Sequence, residues 1–175
     1  MFNIQNSSNM KTLFYTLVIF VFASQTLSAQ PSFFLPTVSA QPNETVCLSF
    51  GVRDFTDLQE VRFSLNWNPT VIDYTNIANP NTQVPDLDFG DFDSSLANDG
   101  KLSFSWKNGV GCTGNTGITL SDNEILFDIC FEVIGDFGES SLIELTNDPT
   151  EIFVTRLNAN CNRLYLQTSG LINWM

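Results

Sequence analysis

The chain has 175 residues, the length of a single domain, and it contains no histidine. Residues 1–29 include Lys11 and no acid, so the remainder carries six basic and nineteen acidic residues, a net charge of −13. This charge disfavours nucleic acid and anionic membrane surfaces as partners, because both attract positive charge. The lack of histidine excludes Ser-His-Asp and Cys-His catalysis and histidine-based zinc sites.

Residues 1–29 have the layout of a secretory signal peptide. Lys11 precedes an apolar run from Leu13 to Ala23, and small and polar residues follow up to a cleavage site after Ala29. The alternative is a transmembrane anchor, but the run is shorter than the ~20 apolar residues that a membrane span needs. We therefore predict a secreted or cell-surface-associated protein with no membrane insertion once the signal is removed.

The next segment, residues 30–43, contains three prolines and is predicted to be an extended lead-in to one domain over residues 44–175. Within that domain apolar and polar residues alternate, most clearly over 45–52, 60–67, 101–106 and 125–133. Further candidate strands lie at 71–77, 141–145, 151–157, 164–167 and 171–174. Alternation indicates strands with one face on a core and one in water. About nine short strands separated by turn residues predict an all-β, antiparallel β-sandwich.

The alternation also assigns faces to the strands. Val61, Phe63, Leu65 and Trp67 share one face, which we expect in the core. Trp106 falls on the apolar side of its own strand, so both tryptophans are predicted to pack inside rather than to stack on sugars.

Four cysteines follow the signal peptide: Cys47, Cys112, Cys130 and Cys161. An even number in an exported chain indicates two disulfides. Cys47 and Cys130 both lie on the polar side of their strands, so their pairing is easiest if those strands are neighbours in one sheet. This favours Cys47–Cys130 and leaves Cys112–Cys161; the alternative is unpaired or differently paired thiols.

The segment "DLDFGDFDSSLANDG" is a weak candidate for a structural calcium site. Alternating acids can ligate extracellular calcium, and the candidate ligands here are Asp86, Asp88, Asp91 and Asp93. The spacing is not that of an EF-hand, because neither Asp86 nor Asp88 has a Glu at the twelfth position. The alternative is a solvated acidic strand or loop in which Leu87, Phe89 or Phe92 turns inward.

A pair of carboxylates, as in glycoside hydrolysis, is the remaining catalytic option. No acid lies in an apolar setting that would raise its pKa clearly, and a domain of this size leaves little room for a substrate cleft. We therefore predict that the protein is not an enzyme.

Three segments in order, "FTDLQEVRFSLNWNPTVIDY", "GKLSFSW" and "LSDNEILFDICFEVIG", resemble a bacterial cohesin domain of the type seen in secreted proteins of the Bacteroidetes. The resemblance extends from about Thr45 to Asn173. It implies a nine-stranded jelly roll, related in fold to several carbohydrate-binding modules. It also implies a non-catalytic module that binds a dockerin-like protein partner through the outward face of one sheet.

The resemblance places the partner contact on Glu60 and Arg62, just before the Asn68-Pro69 turn. Arg62 departs from the short amide or acid that the family often has there, so partner specificity is not inherited. Ser64 and Asn66 extend the same face, which we expect to be exposed, and Ser103, Ser105 and Lys107 flank it if the two strands adjoin. The alternative function is a carbohydrate-binding or adhesion module on the same fold, with polysaccharide as its ligand.

Overall fold

The computed structural model describes residues 30–109, 117–157 and 163–166. The strands in these ranges are β1 (Ser32–Phe34), β2 (Thr45–Arg53), β3 (Leu58–Asn66), β4 (Ile72–Ala78), β5 (Phe92–Asp93), β6 (Lys101–Lys107), β7 (Ile125–Val133), β8 (Glu144–Thr146), β9 (Phe153–Leu157) and β10 (Arg163–Leu166). Two 3₁₀ turns, Phe89–Asp91 and Ala97–Asp99, lie between β4 and β6. No helix within the described ranges is long and apolar enough to cross a membrane.

The strands form two antiparallel sheets packed face to face. The four-stranded sheet has the order β1-β2-β7-β4. The six-stranded sheet has the order β10-β9-β3-β6-β5, and β8 pairs with β3 beyond the end of β9. The predicted antiparallel β-sandwich is therefore confirmed, and β7 begins and ends at the residues that alternation indicated.

The core between the sheets is built from the apolar side of each alternating strand. Phe50 of β2 stacks on Phe127 of β7 at 4.8 Å between ring centroids, and on Phe63 of β3 at 5.2 Å. Phe104 of β6 lies 4.9 Å from Phe63. These offset and tilted aromatic contacts tie both sheets together, and each pair contributes about 0.5–1.5 kcal/mol beyond the burial of its area.

Both tryptophans of the described chain are core residues, as predicted. Trp67 is 6% exposed and Trp106 is 1% exposed. The indole Nε1 of Trp106 donates a 2.8 Å hydrogen bond to the carbonyl oxygen of Pro85, which satisfies its polar atom inside the sandwich. Neither ring is available to stack on a sugar.

The lead-in belongs to the sandwich more closely than the sequence suggested. Residues 32–34 form β1, an edge strand paired with the end of β2, and Phe33 and Leu35 are buried in the core. A strand of three residues is too short for alternation to show, and β5, with two residues, lies in the acidic segment for which the sequence left both a strand and a loop open.

The disulfide between Cys47 and Cys130 is present and confirms the pairing expected from strand parity. The two residues are directly opposite each other in the β2–β7 ladder, with 4.0 Å between their Cα atoms. Cys112, Cys161, the candidate strand at 171–174 and the predicted signal peptide lie outside the described residues.

Candidate partner-binding face

The candidate site is the outer face of the six-stranded sheet, opposite the core. β3 and β6 adjoin in antiparallel register, so each residue predicted to bind the partner has a neighbour on the same face. The pairs across the two strands are Glu60–Lys107, Arg62–Ser105, Ser64–Ser103 and Asn66–Lys101. Ser103, Ser105 and Lys107 were expected to flank the face only if their strand lay beside β3. The pairing of β6 with β3 meets this condition.

The expected exposure of Ser64 is wrong. Its side chain is fully buried, because the loop between β8 and β9 crosses this part of the face. The Ser64 hydroxyl accepts a 2.7 Å hydrogen bond from the backbone N–H of Thr150 and donates to its carbonyl oxygen at 3.2 Å. The Thr150 hydroxyl donates in turn to Ser103 at 2.8 Å. Ser64 and Ser103 therefore hold a loop of their own chain.

Asn66 is also engaged, and its side-chain oxygen accepts a 3.0 Å hydrogen bond from the Thr146 hydroxyl in β8. At the same end, Lys101 forms an ion pair with Asp148 of the β8–β9 loop at 2.5 Å. These contacts occupy the end of the face where β3 leaves the sheet. The open part of the face is the other end, around Ser105 and Lys107, which are both exposed.

The expected exposure of Glu60 is also wrong, since the residue is only 9% exposed. It lies in the central strand between Lys107 of β6 and Thr155 of β9, and its carboxylate is 3.3 Å from Nε of Arg62. A central strand with a neighbour on each side leaves little open surface over its shorter side chains. Arg62 lies above this layer, and 38% of its side chain is exposed.

Two aromatic residues on this face were not identified from the sequence. Phe153 of β9 lies beside Arg62, whose guanidinium carbon is 4.2 Å from the ring centroid. Tyr165 of β10 packs edge-on against Phe153 at 5.3 Å and is 69% exposed. Alternation of Phe153 and Thr155 with the buried Val154 indicates that the Phe153 side chain points outward. Alternation within β9 does not indicate that β9 and β10 lie next to β3, so it could not place Phe153 on this face.

The acids of the candidate calcium segment are held in local turns. Asp88 and Asp91 form a capping box at the 3₁₀ turn Phe89–Asp91, and Asp86 accepts a hydrogen bond from the Gly109 N–H. Asp93 accepts one from the Ser95 N–H at 2.9 Å. Within the described residues, no three acids or cysteines are grouped closely enough to hold a metal ion. The weak calcium candidate stays a prediction.

The environments of two of these acids differ. Burial raises the pKa of Asp91, with the charges of Asp88 and Asp86 adding to the effect against a backbone hydrogen bond from Asp88. Asp93 is exposed, and hydrogen bonds from the backbone and side chain of Ser95 lower its pKa. Both causes are local to the turns, so neither value points to a ligand.

A separate apolar groove of 560 Å³ lies at one end of the sandwich, between residues 35–42 and 136–143. Two acids, Asp136 and Glu139, line it along with aliphatic side chains. The Glu139 carboxylate accepts a 2.9 Å hydrogen bond from the Asp136 backbone N–H, so it caps its own loop. The groove gives no support to a pair of catalytic carboxylates flanking a sugar.

No protein-family model matches the chain, and no curated protein matches it by sequence. Solved structures do match. A type I cohesin–dockerin complex from Clostridium thermocellum includes a cohesin with a TM-score of 0.59 at 13% identity, covering 78% of this chain and 92% of the other. A Clostridium acetobutylicum cohesin gives a TM-score of 0.56 at 21% identity, covering 77% and 83%.

A further similar structure is a type III cohesin module from a cell-surface anchoring scaffoldin of Ruminococcus flavefaciens. Its TM-score is 0.54 at 12% identity, and the match covers 72% of each chain. The described domain thus has the cohesin fold, a jelly-roll β-sandwich, as the sequence resemblance implied. The finer prediction of a Bacteroidetes-type cohesin stays a prediction.

Proposed function

We propose that this chain is a secreted or cell-surface recognition module. It binds a dockerin-like protein partner and carries out no catalysis. The cohesin fold supports the class of function, since structures similar to this one include cohesins solved in complex with dockerins. The predicted signal peptide and the disulfide in the described chain support export, because disulfides persist in oxidising compartments.

The observation that carries the choice of surface is the open end of the six-stranded sheet. Ser105 and Lys107 are exposed there beside Arg62, Phe153 and Tyr165. Arginine and tyrosine are among the residue types most enriched at the centres of protein interfaces, and this surface has one of each. The rigid strands beneath them need no rearrangement to present this surface.

A carbohydrate-binding module is the second candidate, and Tyr165 and Phe153 are the observation that favours it. Aromatic rings are the side chains that stack on sugars, and Tyr165 is well exposed. However, the two rings meet at an interplanar angle of 68°, so they do not form the flat row on which a polysaccharide chain would lie. The protein partner is therefore our first choice.

The test blocks the open end of the face with a bulky side chain. The bait is the full chain, produced as an exported protein. It is incubated with the native secretome and, separately, with a polysaccharide array. Ser105→Trp is expected to weaken capture of a protein partner at least tenfold, by analogy with the loss of a central contact. Thr75→Trp, at an exposed position of β4 in the other sheet, is the matched control and should bind like the wild type.

Two results would overturn the proposal. Retention of polysaccharide with no protein partner would favour the second candidate. Equal capture of a protein partner by the wild type and by Ser105→Trp would move the binding surface away from this face.

A further inference from the structure

Charge is distributed unevenly between the two sheets. The strands of the six-stranded sheet contain five of the six basic residues that follow the predicted signal peptide: Arg62, Lys101, Lys107, Arg156 and Arg163. They contain three acids, Glu60, Asp93 and Glu144. The four-stranded sheet has one basic residue, Arg53, and three acids. The other thirteen acids lie in the connecting segments, where no basic residue occurs after residue 29.

The exposed Lys107 and the partly exposed Arg62 lie at the open end of the candidate face. Lys107 is exposed at the end of β6, whereas Lys101 at the other end is paired with Asp148. Arg62 and Lys107 are within about 10 Å of each other, since they lie on adjacent strands two residues apart in register. Glu60, the acid between them, is largely covered, so a molecule approaching from solvent meets the two cations first.

Arg62 is also held in position. The Phe153 ring packs against its guanidinium group and the Glu60 carboxylate lies beside Nε. A guanidinium group has five N–H donors, and its side chain here remains 38% exposed. It can therefore take a second carboxylate without first losing the freedom of a long mobile side chain.

We propose that the protein partner presents an acidic surface to this face, with partner carboxylates contacting Arg62 and Lys107. The inference rests on the proposed function and adds the chemistry of the partner. The six-stranded sheet has more basic than acidic residues, whereas the four-stranded sheet and the connecting segments have more acidic than basic residues, so an acidic partner is expected to favour the six-stranded sheet. The charge pattern thus selects the docking face as well as the partner.

The sequence makes a direct test available, because the only lysines after residue 29 are Lys101 and Lys107. A water-soluble carbodiimide joins an amine to a carboxylate in contact with it, with loss of water and no spacer. The exported full chain is bound to the partner captured from the secretome, treated with carbodiimide, digested and analysed by mass spectrometry. An amide between Lys107 and a partner Asp or Glu is the expected product.

Four variants separate charge from structure. Lys107→Arg keeps the charge but cannot be cross-linked, so affinity within twofold of wild type and loss of the cross-link are expected. Lys107→Gln should weaken binding about threefold, and adding Arg62→Gln should bring the loss to about tenfold. Arg53→Gln makes the same charge change on the four-stranded sheet and should leave affinity unchanged.

Ionic strength gives an independent readout. Raising NaCl from 50 to 500 mM should weaken binding about tenfold in the wild type and clearly less in the Lys107→Gln, Arg62→Gln double variant. If a protein partner binds through this face with no salt dependence and no Lys107 cross-link, the acidic-partner inference fails while the proposed function stands. If the chain captures an acidic polysaccharide and no protein, both fail.

Discussion

At the scale of single residues, Ser64 shows how a polar side chain in the predicted binding face takes a structural role. Its hydroxyl both donates to and accepts from the backbone of Thr150, at 3.2 and 2.7 Å. These bonds replace the water that a serine on an open sheet would bind. The β8–β9 loop is thereby fixed over one end of the face, which leaves the other end as the open part.

We predict that Ser64→Ala destabilises the fold by about 1–3 kcal/mol, because it removes the hydrogen-bond partner of the part-buried N–H and carbonyl groups of Thr150. Ser105→Ala is the matched control, since Ser105 lies on the same face and is exposed. Its effect should stay within about 0.5 kcal/mol. Urea unfolding of both variants measures the difference, and equal midpoints would contradict the role assigned to Ser64.

The alternation of apolar and polar residues predicted which side of β3 faces outward. It could not predict which other parts of the chain cover that side. Glu60, Arg62, Ser64 and Asn66 do point away from the core, as alternation requires. Their exposure depends on contacts with residues 80 or more positions away, such as Thr150 and Phe153. Periodicity within one strand carries no information on such contacts.

At the scale of elements, β1 shows that a short edge strand can place a side chain in the core between the two sheets. Phe33 packs against Phe50 and Phe63 at 5.6 and 5.4 Å between ring centroids. It therefore bridges the two sheets, although it lies in the segment whose three prolines predict an extended lead-in. The regular strands of seven to nine residues were predictable because alternation over such lengths is unambiguous; β1 and β5 were not.

Removing this bridge tests whether the domain begins at β1. Phe33→Ala is expected to cost about 3–5 kcal/mol, the usual range for a buried phenylalanine. Val38→Ala, in the same segment but 48% exposed, should change stability by less than about 0.5 kcal/mol. Thermal and urea unfolding provide the measurement, and a negligible effect of Phe33→Ala would show that residues 30–43 are a true lead-in.

The disulfide acts on another element pair, β2 and β7 in the middle of the four-stranded sheet. Cys47 and Cys130 are 83 residues apart in the chain, so their bond restricts a long loop in the unfolded state. Removing it by Cys47→Ala with Cys130→Ala should cost about 2–5 kcal/mol.

The control uses a background in which the disulfide between Cys47 and Cys130 is the only one that can form. In Cys112→Ala with Cys161→Ala, a reducing agent should lower the urea midpoint as much as the Cys47→Ala, Cys130→Ala pair does. A midpoint that reductant leaves unchanged would mean that the bond contributes nothing to stability.

At the scale of the whole molecule, the excess of acids lies in the connections rather than in the sheets. Thirteen acids and no cation occupy the connecting segments after residue 29, so these segments repel one another at both ends of the sandwich. The strands of the two sheets, where hydrogen bonds and aromatic packing resist this repulsion, together carry six basic and six acidic residues. The same arrangement keeps separate copies of the molecule apart and leaves the cationic end of the six-stranded sheet as the exception.

This distribution predicts a fold that added salt stabilises. Screening reduces repulsion among exposed charges, so Tm should rise by a few degrees between 10 and 300 mM NaCl at pH 7. The variant Asp99→Asn, Asp136→Asn, Glu151→Gln removes three exposed acids from three different connections. It should have a higher Tm at 10 mM NaCl and a smaller response to salt, as measured by calorimetry. The neutral osmolyte sucrose raises Tm without screening, so it should affect the wild type and the variant equally. A salt response identical in the two proteins would show that repulsion between the connections does not limit stability.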